Sequence, residues 1–216
     1  AWLMNGTSIA DRESFGDITS VEQVGRQRVF NNDGKYDLLW RDTSAGTVAL
    51  WLMSGTSIAQ TGTIGTVATS WSIVGTSDFN YDGYADILWR DSSGALAVWL
   101  MNGTSIAETG TLGTVPLNWT IAAFDARRNI FWRDTSCGTV AIWQLYGTQV
   151  QQTASLGSVP LNWTIVGVGD FDGNGSNDIV WRDTSSGTVA IWLLNGLALK
   201  QTWSLGAVAN SWAIVQ

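Results

Sequence analysis

The triplet Trp-Arg-Asp recurs four times along this chain of 216 residues, and the repeat constrains the fold more than any other feature. A second tryptophan follows the first residue of each triplet after ten or eleven residues, and a third lies 20 residues beyond the second. Three columns that keep step indicate one structural unit copied along the chain. The columns are Trp40, Trp89, Trp132 and Trp181; Trp51, Trp99, Trp143 and Trp192; and Trp71, Trp119, Trp163 and Trp212.

Each copy of the unit predicts four short β-strands. In the last complete copy the first three are expected near residues 163–167, 178–183 and 188–194, and Asn195-Gly196 is typical of the type I′ turn before the fourth. β-branched and aromatic residues fill the strands, whereas Gly, Asn, Ser and Asp fill the turns. No segment of the sequence shows sustained helical periodicity, so the pattern predicts an all-β chain.

We therefore predict a β-propeller of four-stranded antiparallel blades, with four full repeats and a composite or partial fifth. The alternative, a two-sheet sandwich, would not need three tryptophan columns held in register. Residues 1–12 repeat the third and fourth strands of a unit, and residues 212–216 match only a first strand. Either a three-stranded fifth blade closes a small ring, or the chain is a piece of a larger propeller. The chain 1–216 is expected to be one domain with units of about 1–20 (partial), 21–70, 71–118, 119–162, 163–211 and 212–216 (partial).

Two units carry an oxygen-rich loop between their first and second strands. Loop 78–86 and loop 170–178 both read D-x-[DN]-x-[DN]-G-x-x-D. Ca²⁺ takes about six to eight oxygen ligands, and side chains at positions 1, 3, 5 and 9 of such a loop can point inward while position 7 offers its carbonyl. Carboxylates brought this close repel each other unless a cation lies between them. The pattern favours two calcium sites over metal-free turns rich in Asp, Asn and Gly.

The loops of the other two units have degenerated. Loop 29–37 has Val29 at position 1, so its site is predicted to be weak or empty. The third copy, at 124–129, is about five residues shorter and brings Arg127 and Arg128 to where the cation would lie. No metal is predicted there.

The hexapeptides at 78–83 and 170–175, each followed closely by Asp-Ile-[Leu/Val]-Trp-Arg, resemble FG-GAP/VCBS-type repeats. Integrin α-subunit heads and some fungal and bacterial lectins are built from such repeats. The resemblance covers nearly the whole chain and implies a propeller with calcium in the first interstrand loop of a blade, in rings that often have seven blades. The family spans adhesion, lectin and enzyme-accessory roles, so the fold does not settle function. The family's calcium positions correspond to Asp78, Asn80, Asp82, Tyr84 (carbonyl) and Asp86, and to Asp170, Asp172, Asn174, Ser176 (carbonyl) and Asp178.

The tryptophan columns and the triplet arginines have two interpretations. In the first they are core: flat side chains fill the space between blades, and Arg pairs with neighbouring blades or holds backbone carbonyls. In the second they line repeated pockets in which Trp stacks on a sugar ring. Trp203 stands outside the register and is either an edge cap or an exposed contact. The candidate ligand-binding residues are Trp51, Trp99, Trp143, Trp192, Arg41, Arg90, Arg133 and Arg182.

Charge and composition argue against several classes of function. The net charge of −7 disfavours nucleic-acid binding, because phosphate contacts need Lys and Arg. Histidine is absent, which removes the usual general base near neutral pH. Cys137 is the only cysteine, so no internal disulfide is possible. No apolar run approaches the roughly 20 residues of a membrane span. We expect no enzyme activity.

The sequence thus predicts a non-catalytic, secreted or cell-surface, calcium-binding propeller that recognises carbohydrate in a multivalent, lectin-like manner. The alternative is a structural or protein-interaction module of a larger adhesin, or an accessory domain of a secreted enzyme. Expected partners are glycans or a protein on a cell surface, and the incomplete blade is compatible with an oligomer. The chain opens without a basic signal-like region, so either it is a mature fragment or an export signal lies upstream.

Overall fold

Every regular element in the described part of the chain is a β-strand, which confirms the all-β prediction. The computed structural model describes residues 2–5, 8–12, 28–125 and 127–213. Within those ranges no helix is long and apolar enough to cross a membrane. The strands are β1 (Trp2–Asn5) and β2 (Ser8–Arg12), which form a hairpin; β3 (Leu38–Arg41), β4 (Thr47–Ser54) and β5 (Ser57–Thr66), here named blade 1; β6 (Trp71–Ser77), β7 (Asp86–Asp91), β8 (Ala95–Asn102) and β9 (Ser105–Thr114), blade 2; β10 (Trp119–Phe124), β11 (Asn129–Asp134), β12 (Thr139–Tyr146) and β13 (Gln149–Ser158), blade 3; and β14 (Trp163–Gly169), β15 (Asp178–Asp183), β16 (Thr188–Asn195) and β17 (Ala198–Ala207), blade 4.

Each blade is an antiparallel meander in which strands follow chain order. Three strands of blade 1 are described, because the predicted start of that unit, near residues 21–27, lies outside the described residues. The predicted strand over 178–183 is confirmed at both bounds. The hairpin predicted within residues 1–12 is also confirmed. At the other end Trp212 and Ala213 belong to no strand, and residues 214–216 of that predicted strand lie outside the described residues.

The chain divides into two compact units. Unit one, residues 1–114 and 147–149, contains the hairpin and blades 1 and 2; unit two, residues 115–146 and 150–216, contains blades 3 and 4, apart from the first residue of β13. In unit one Leu50 of blade 1 and Trp89 of blade 2 belong to one buried cluster. In unit two Ile142 of blade 3 and Trp181 of blade 4 belong to a second buried cluster. Within each unit, the two neighbouring blades therefore bury each other's faces.

Alternation along the third strand of each blade produces this packing. Side chains in a strand point to opposite faces in turn. In β8, Leu96 and Val98 are fully buried on one face, whereas Trp99 is half-buried on the other. The sequence of β4 repeats this pattern with Val48 and Leu50.

A β-bulge recurs in the outer strand of three blades. Between Leu52 and Met53 the register with β5 shifts, which leaves Ala59 without a partner in the ladder. Equivalent shifts leave Ala107 of β9 and Lys200 of β17 as the extra residue. Bulges re-aim the side chain of the extra residue, so a lysine at this point of blade 4 differs in kind from the alanines of blades 1 and 2.

Candidate functional site

The last Asp of each complete loop is buried and fastens the loop to its blade. The carboxylate accepts one hydrogen bond from the second residue of its own loop and one from the third strand, at 2.7 and 2.9 Å for Asp86 and 2.8 and 2.8 Å for Asp178. Asp37 of the degenerate loop accepts the same pair at 2.7 and 2.9 Å. This position is therefore structural as well as a predicted metal ligand. The N–H donors are Phe30 and Met53 for Asp37, Phe79 and Met101 for Asp86, and Phe171 and Leu194 for Asp178.

Burial dominates the electrostatics of Asp86. Loss of solvent raises the pKa of Asp86 to about 7, and the carboxylates of Asp82 and Asp78 push it in the same direction. The two backbone N–H groups act against this rise. A cation bound in loop 78–86 would oppose this rise, because it stabilises the ionised carboxylate.

In loop 78–86 the side chains fold back onto the loop's own backbone. Asp78 accepts from the N–H groups of Tyr81 at 2.7 Å and Gly83 at 2.9 Å. The amide of Asn80 donates to Asp82 at 2.8 Å. Gly83 has a φ of 89°, as the glycine at position 6 of the predicted turn requires. Three predicted ligand residues, Asp78, Asn80 and Asp82, are therefore hydrogen-bonded within the loop itself.

Loop 170–178 brings its carboxylates closer together. Asp170, Asp172 and Asp178 each offer an oxygen, and these oxygens lie within 4.8 Å of one another. Among the described residues this is the one cluster of three acidic groups that meets this distance. Asp170 accepts from the N–H of Asn174 at 3.1 Å and from that of Gly175 at 2.8 Å. Hard oxygen donors at this spacing fit Ca²⁺.

Position 7 of each loop is held through its N–H group. Tyr84 donates to Asp82 at 2.9 Å, and Ser176 donates to Asn174 at 2.6 Å. The Ser176 hydroxyl accepts from the N–H of Gly196 at 2.8 Å. These bonds fix the peptide units whose carbonyls are the predicted ligands.

A lysine missed by the sequence reasoning contacts the cluster. The ammonium of Lys200 donates to Asp172 at 2.8 Å. This bond lowers the pKa of Asp172 and raises that of Lys200. Comparison of the copies could have identified this lysine, because the equivalent strands of blades 1 and 2 have Ala59 and Ala107 at its position.

The degenerate loops have internal partners of their own. In loop 29–37 the ammonium of Lys35 lies 3.5 Å from Asp33. In the short loop of blade 3, Asp125 accepts from the N–H and from the side-chain amide of Asn129, at 2.8 and 2.7 Å. The absence of metal from these loops stays a prediction.

The triplet arginines hold backbone carbonyls, as the first interpretation expects. Arg41 is 4% exposed and donates to the carbonyls of Gly46, Val67, Ala68 and Trp71 at 2.6–3.2 Å. Its guanidinium lies 5.1 Å from the ring centre of Trp89 in the next blade, which is cation–π distance. The ligand role predicted for these arginines stays a prediction. Arg133 bonds the carbonyls of Gly138, Val159 and Pro160, and Arg182 those of Val208 and Ala209; Arg90 is half-buried.

The triplet aspartates organise the following turn. One oxygen of Asp183 accepts from the N–H of Ser185 at 2.8 Å, from its hydroxyl at 2.6 Å, and from the N–H of Ser186 at 3.3 Å. Asp42, Asp91 and Asp134 accept equivalent bonds. Such Asx turns connect the second and third strands of each blade.

Two tryptophan columns meet inside each blade. The ring centres of the triplet Trp and the second-column Trp are 4.8–5.3 Å apart and tilted by 55–58°. Trp89 and Trp181 are 1% exposed, yet their indole N–H groups have no acceptor among the described residues, and the same holds for Trp40. A buried donor without a partner carries a cost of about 1–3 kcal/mol, so its recurrence needs an explanation. The four pairs are Trp40 with Trp51, Trp89 with Trp99, Trp132 with Trp143, and Trp181 with Trp192.

One cavity in unit two is lined by one tryptophan from each of the three columns. It has a volume of about 360 Å³ and is lined by Trp163, Trp181 and Trp192 together with Thr202 and Ser204. Thr202 lies directly opposite Trp192 in the ladder, so the two side chains share one face of blade 4. The cavity thus combines aromatic surface with hydroxyl groups. A second cavity of about 330 Å³ is lined by the predicted Arg133 and by Trp163.

These features define a class of protein: a β-propeller-type repeat protein with oxygen-rich interstrand loops. Residues 30–89 match the FG-GAP-like repeat family, which confirms the resemblance over that segment. A search of curated proteins found no match.

Two solved structures show partial similarity. Raptor of Chaetomium thermophilum aligns at 11% identity with a TM-score of 0.47, over 85% of this chain and 17% of that one. Hydrazine synthase of Kuenenia stuttgartiensis aligns at 9% identity with a TM-score of 0.45, over 90% of this chain and 53% of that one. The chain spans just over half of the second protein and a smaller share of the first.

Proposed function

We propose that this chain is a secreted or cell-surface, calcium-stabilised module that binds carbohydrate and has no catalytic activity of its own. The observation that carries the proposal is the 360 Å³ cavity lined by Trp163, Trp181 and Trp192. Its volume falls at the lower end of the range of small-molecule sites, about 300–1,000 Å³.

The lining suits a sugar ring. A sugar presents an apolar C–H face, for which an aromatic ring is a flat partner, and a polar rim of hydroxyls. The half-buried Trp192 supplies the aromatic surface, and the hydroxyls of Thr202 and Ser204 on the same face can donate or accept.

Calcium is proposed to stabilise the module rather than to contact the sugar. A bound Ca²⁺ supplies positive charge that neutralises the loop carboxylates and ties the loop residues together. Asp78, Asn80, Asp82 and Asp86 would hold it in blade 2. The cluster of Asp170, Asp172 and Asp178 would hold it in blade 4 with Asn174. An ion that binds only the folded state stabilises it in proportion to the logarithm of its concentration.

Repetition supports multivalent binding. Trp51, Trp99 and Trp143 are half-buried and pair with a triplet tryptophan as Trp192 does. Several weak sites on one module raise overall avidity for a glycan-coated surface without any new contact.

A non-catalytic role agrees with the chemistry of the cavity. The described residues that line it include no carboxylate, whereas glycoside hydrolysis needs two carboxyl groups about 5–10 Å apart across the bond. The one close carboxylate cluster among the described residues belongs to a proposed calcium loop.

A glycan array probed with the whole chain tests the proposal. We expect binding in calcium, weaker binding in EDTA, and loss of binding in Trp192→Ala. Trp212→Ala is the matched control, because Trp212 is 71% exposed and does not line the cavity. A flat array with the folded, calcium-loaded protein would contradict carbohydrate binding. Equal binding by W192A and W212A would contradict this cavity.

One observation favours the alternative, a protein-interaction module. Leu205 in β17 is 59% exposed, whereas its counterparts Leu112 and Leu156 are 9% and 5% exposed. Trp203 beside it is 61% exposed. Exposed apolar groups of this size mark contact surfaces. Trp203 also lines the 360 Å³ cavity, whereas Leu205 does not, so a change at Leu205 distinguishes the two proposals. If this surface carries the function, Leu205→Ser abolishes partner capture on intact cells while array binding is unchanged.

A further inference from the structure

Lys200 occupies a position in blade 4 that alanine occupies in blades 1 and 2. The position is the extra residue of the outer-strand bulge, where the register passes from Leu193–Gln201 to Leu194–Leu199. In blade 2 the same shift, between Leu100 and Met101, leaves Ala107 as the extra residue. At this bulge position the two blades therefore differ by the presence of one ammonium group.

The bulge aims this ammonium at the loop of its own blade. Lys200 donates to Asp172 at 2.8 Å, and Asp172 is one of three aspartates whose oxygens lie within 4.8 Å of one another. The side chain of Asp172 is 18% exposed and that of Lys200 is 49% exposed. A cationic group thus contacts the cluster through an oxygen that the calcium proposal assigns to the metal.

The hairpin that carries Lys200 is bonded firmly to the loop. Asn174 donates its amide to the carbonyl of Leu194 at 2.7 Å, and Gly196 donates its N–H to the hydroxyl of Ser176 at 2.8 Å. Leu194 also donates its N–H to Asp178 at 2.8 Å. Because loop and hairpin are connected at three points, the ammonium is held near the carboxylates even when its own hydrogen bond breaks.

We propose that Lys200 is an internal counter-ion that competes with calcium for the loop 170–178, so that this site binds calcium more weakly than its carboxylates alone would. The inference rests on the proposed calcium binding. Calcium must take Asp172 from the ammonium, or share it, before the oxygens can close around the ion. Loop 78–86 has no such competitor at the bulge, where the residue is Ala107.

The expected effect is modest, because an exposed ion pair contributes little and is screened by solvent. Lys200→Ala should therefore tighten calcium binding at loop 170–178 by up to about fivefold. Lys200→Arg keeps the charge and should stay near the wild-type affinity. The difference between wild type and K200A should shrink at high ionic strength, because salt screens the exposed ammonium.

Calcium titration by calorimetry tests this in the whole chain, with the other loop silenced. Asp78→Asn together with Asp82→Asn silences loop 78–86, so that wild-type Lys200, K200A and K200R are compared at one site. The reciprocal variant Ala107→Lys is titrated with loop 170–178 silenced by Asp170→Asn and Asp172→Asn. We expect K200A to bind more tightly and A107K to bind less tightly than the respective parents.

The outcomes separate this inference from the calcium proposal on which it rests. If the parents bind calcium and K200A binds with unchanged affinity, competition by Lys200 is wrong while calcium binding stands. If the parent with Lys200 shows no binding and K200A does, the competition is supported in its strongest form. If neither parent nor any variant binds calcium, both ideas are overturned.

Discussion

Gly110 in β9 lies so close to Thr148 that a Cβ at position 110 would be 2.4 Å from the Cβ of the threonine. The preceding blade repeats the contact, with Gly62 placed 2.5 Å by the same measure from Thr104. A hydrogen bond lies beside each pair. Thr148 donates its hydroxyl to Glu108 at 3.0 Å, and Thr104 accepts from the side-chain amide of Gln60 at 3.1 Å. The outer strand of one blade therefore contacts the hairpin of the next through a glycine–threonine pair.

We expect Gly110→Ala to lower the free energy of unfolding by about 1–3 kcal/mol, because the added methyl group overpacks this contact. Urea denaturation measures the effect. Gly65→Ala is the control, since its Cβ would meet only a ring atom of Trp99 at 3.9 Å. Adding Thr148→Gly to G110A should restore part of the loss. Equal stability of G110A and G65A would show that the contact yields without strain.

Arg41→Ala should lower the free energy of unfolding by about 1.5–3 kcal/mol, because buried carbonyls lose a charged donor. Arg41→Lys should recover little of it, since an ammonium cannot reproduce the planar guanidinium fork. Chemical denaturation gives the comparison, with the exposed Lys35→Ala as control. If R41A instead keeps full stability and loses glycan binding, the arginine belongs to a ligand site.

The repeat made the blade architecture predictable, because every copy faces the same packing problem. Strand β15 was predicted at its bounds since an oxygen-rich loop precedes Asp178 and an Asx turn follows Asp183. The outer strand β9 runs from Ser105 to Thr114, a length that the sequence pattern does not indicate. Its small and polar residues show no alternation of apolar and polar side chains. Pairing in the ladder and contact with the neighbouring hairpin, rather than burial, determine where this strand ends.

The sequence predicted which residues form the candidate site, but it did not predict how those residues are hydrogen-bonded to the rest of the blade. Loop spacing identified Asp86 and Asp178 as oxygen donors. Their bonds to Met101 and Leu194 depend on how the third strand returns past the loop, which spacing does not encode. For Lys200 the copies differ visibly in sequence, but its contact with Asp172 requires the bulge.

Asp183→Asn should make the stability of the protein less dependent on acid pH. Hydrogen bonds, chiefly from Ser185, depress the pKa of Asp183 in the folded state. A depressed pKa means that the carboxylate contributes stability above its unfolded value, about 3.9, and that this contribution disappears as pH falls through the folded pKa. Melting temperatures of wild type should exceed those of D183N near neutral pH and converge in strong acid. A constant difference at all pH values would exclude the ionised carboxylate as the cause.

Asp78→Asn should remove one calcium site and leave the fold intact. The amide keeps an oxygen that can accept from Gly83, but it removes a full negative charge from loop 78–86. In calorimetry, wild type is expected to bind two calcium ions and D78N one, and the rise in melting temperature caused by calcium should shrink. Asp33→Asn is the matched control, because loop 29–37 has Val29 in place of the first carboxylate and pairs Asp33 with Lys35. If D33N reduces the calcium response as much as D78N does, then the degenerate loop binds calcium, and the first position of the motif does not decide occupancy.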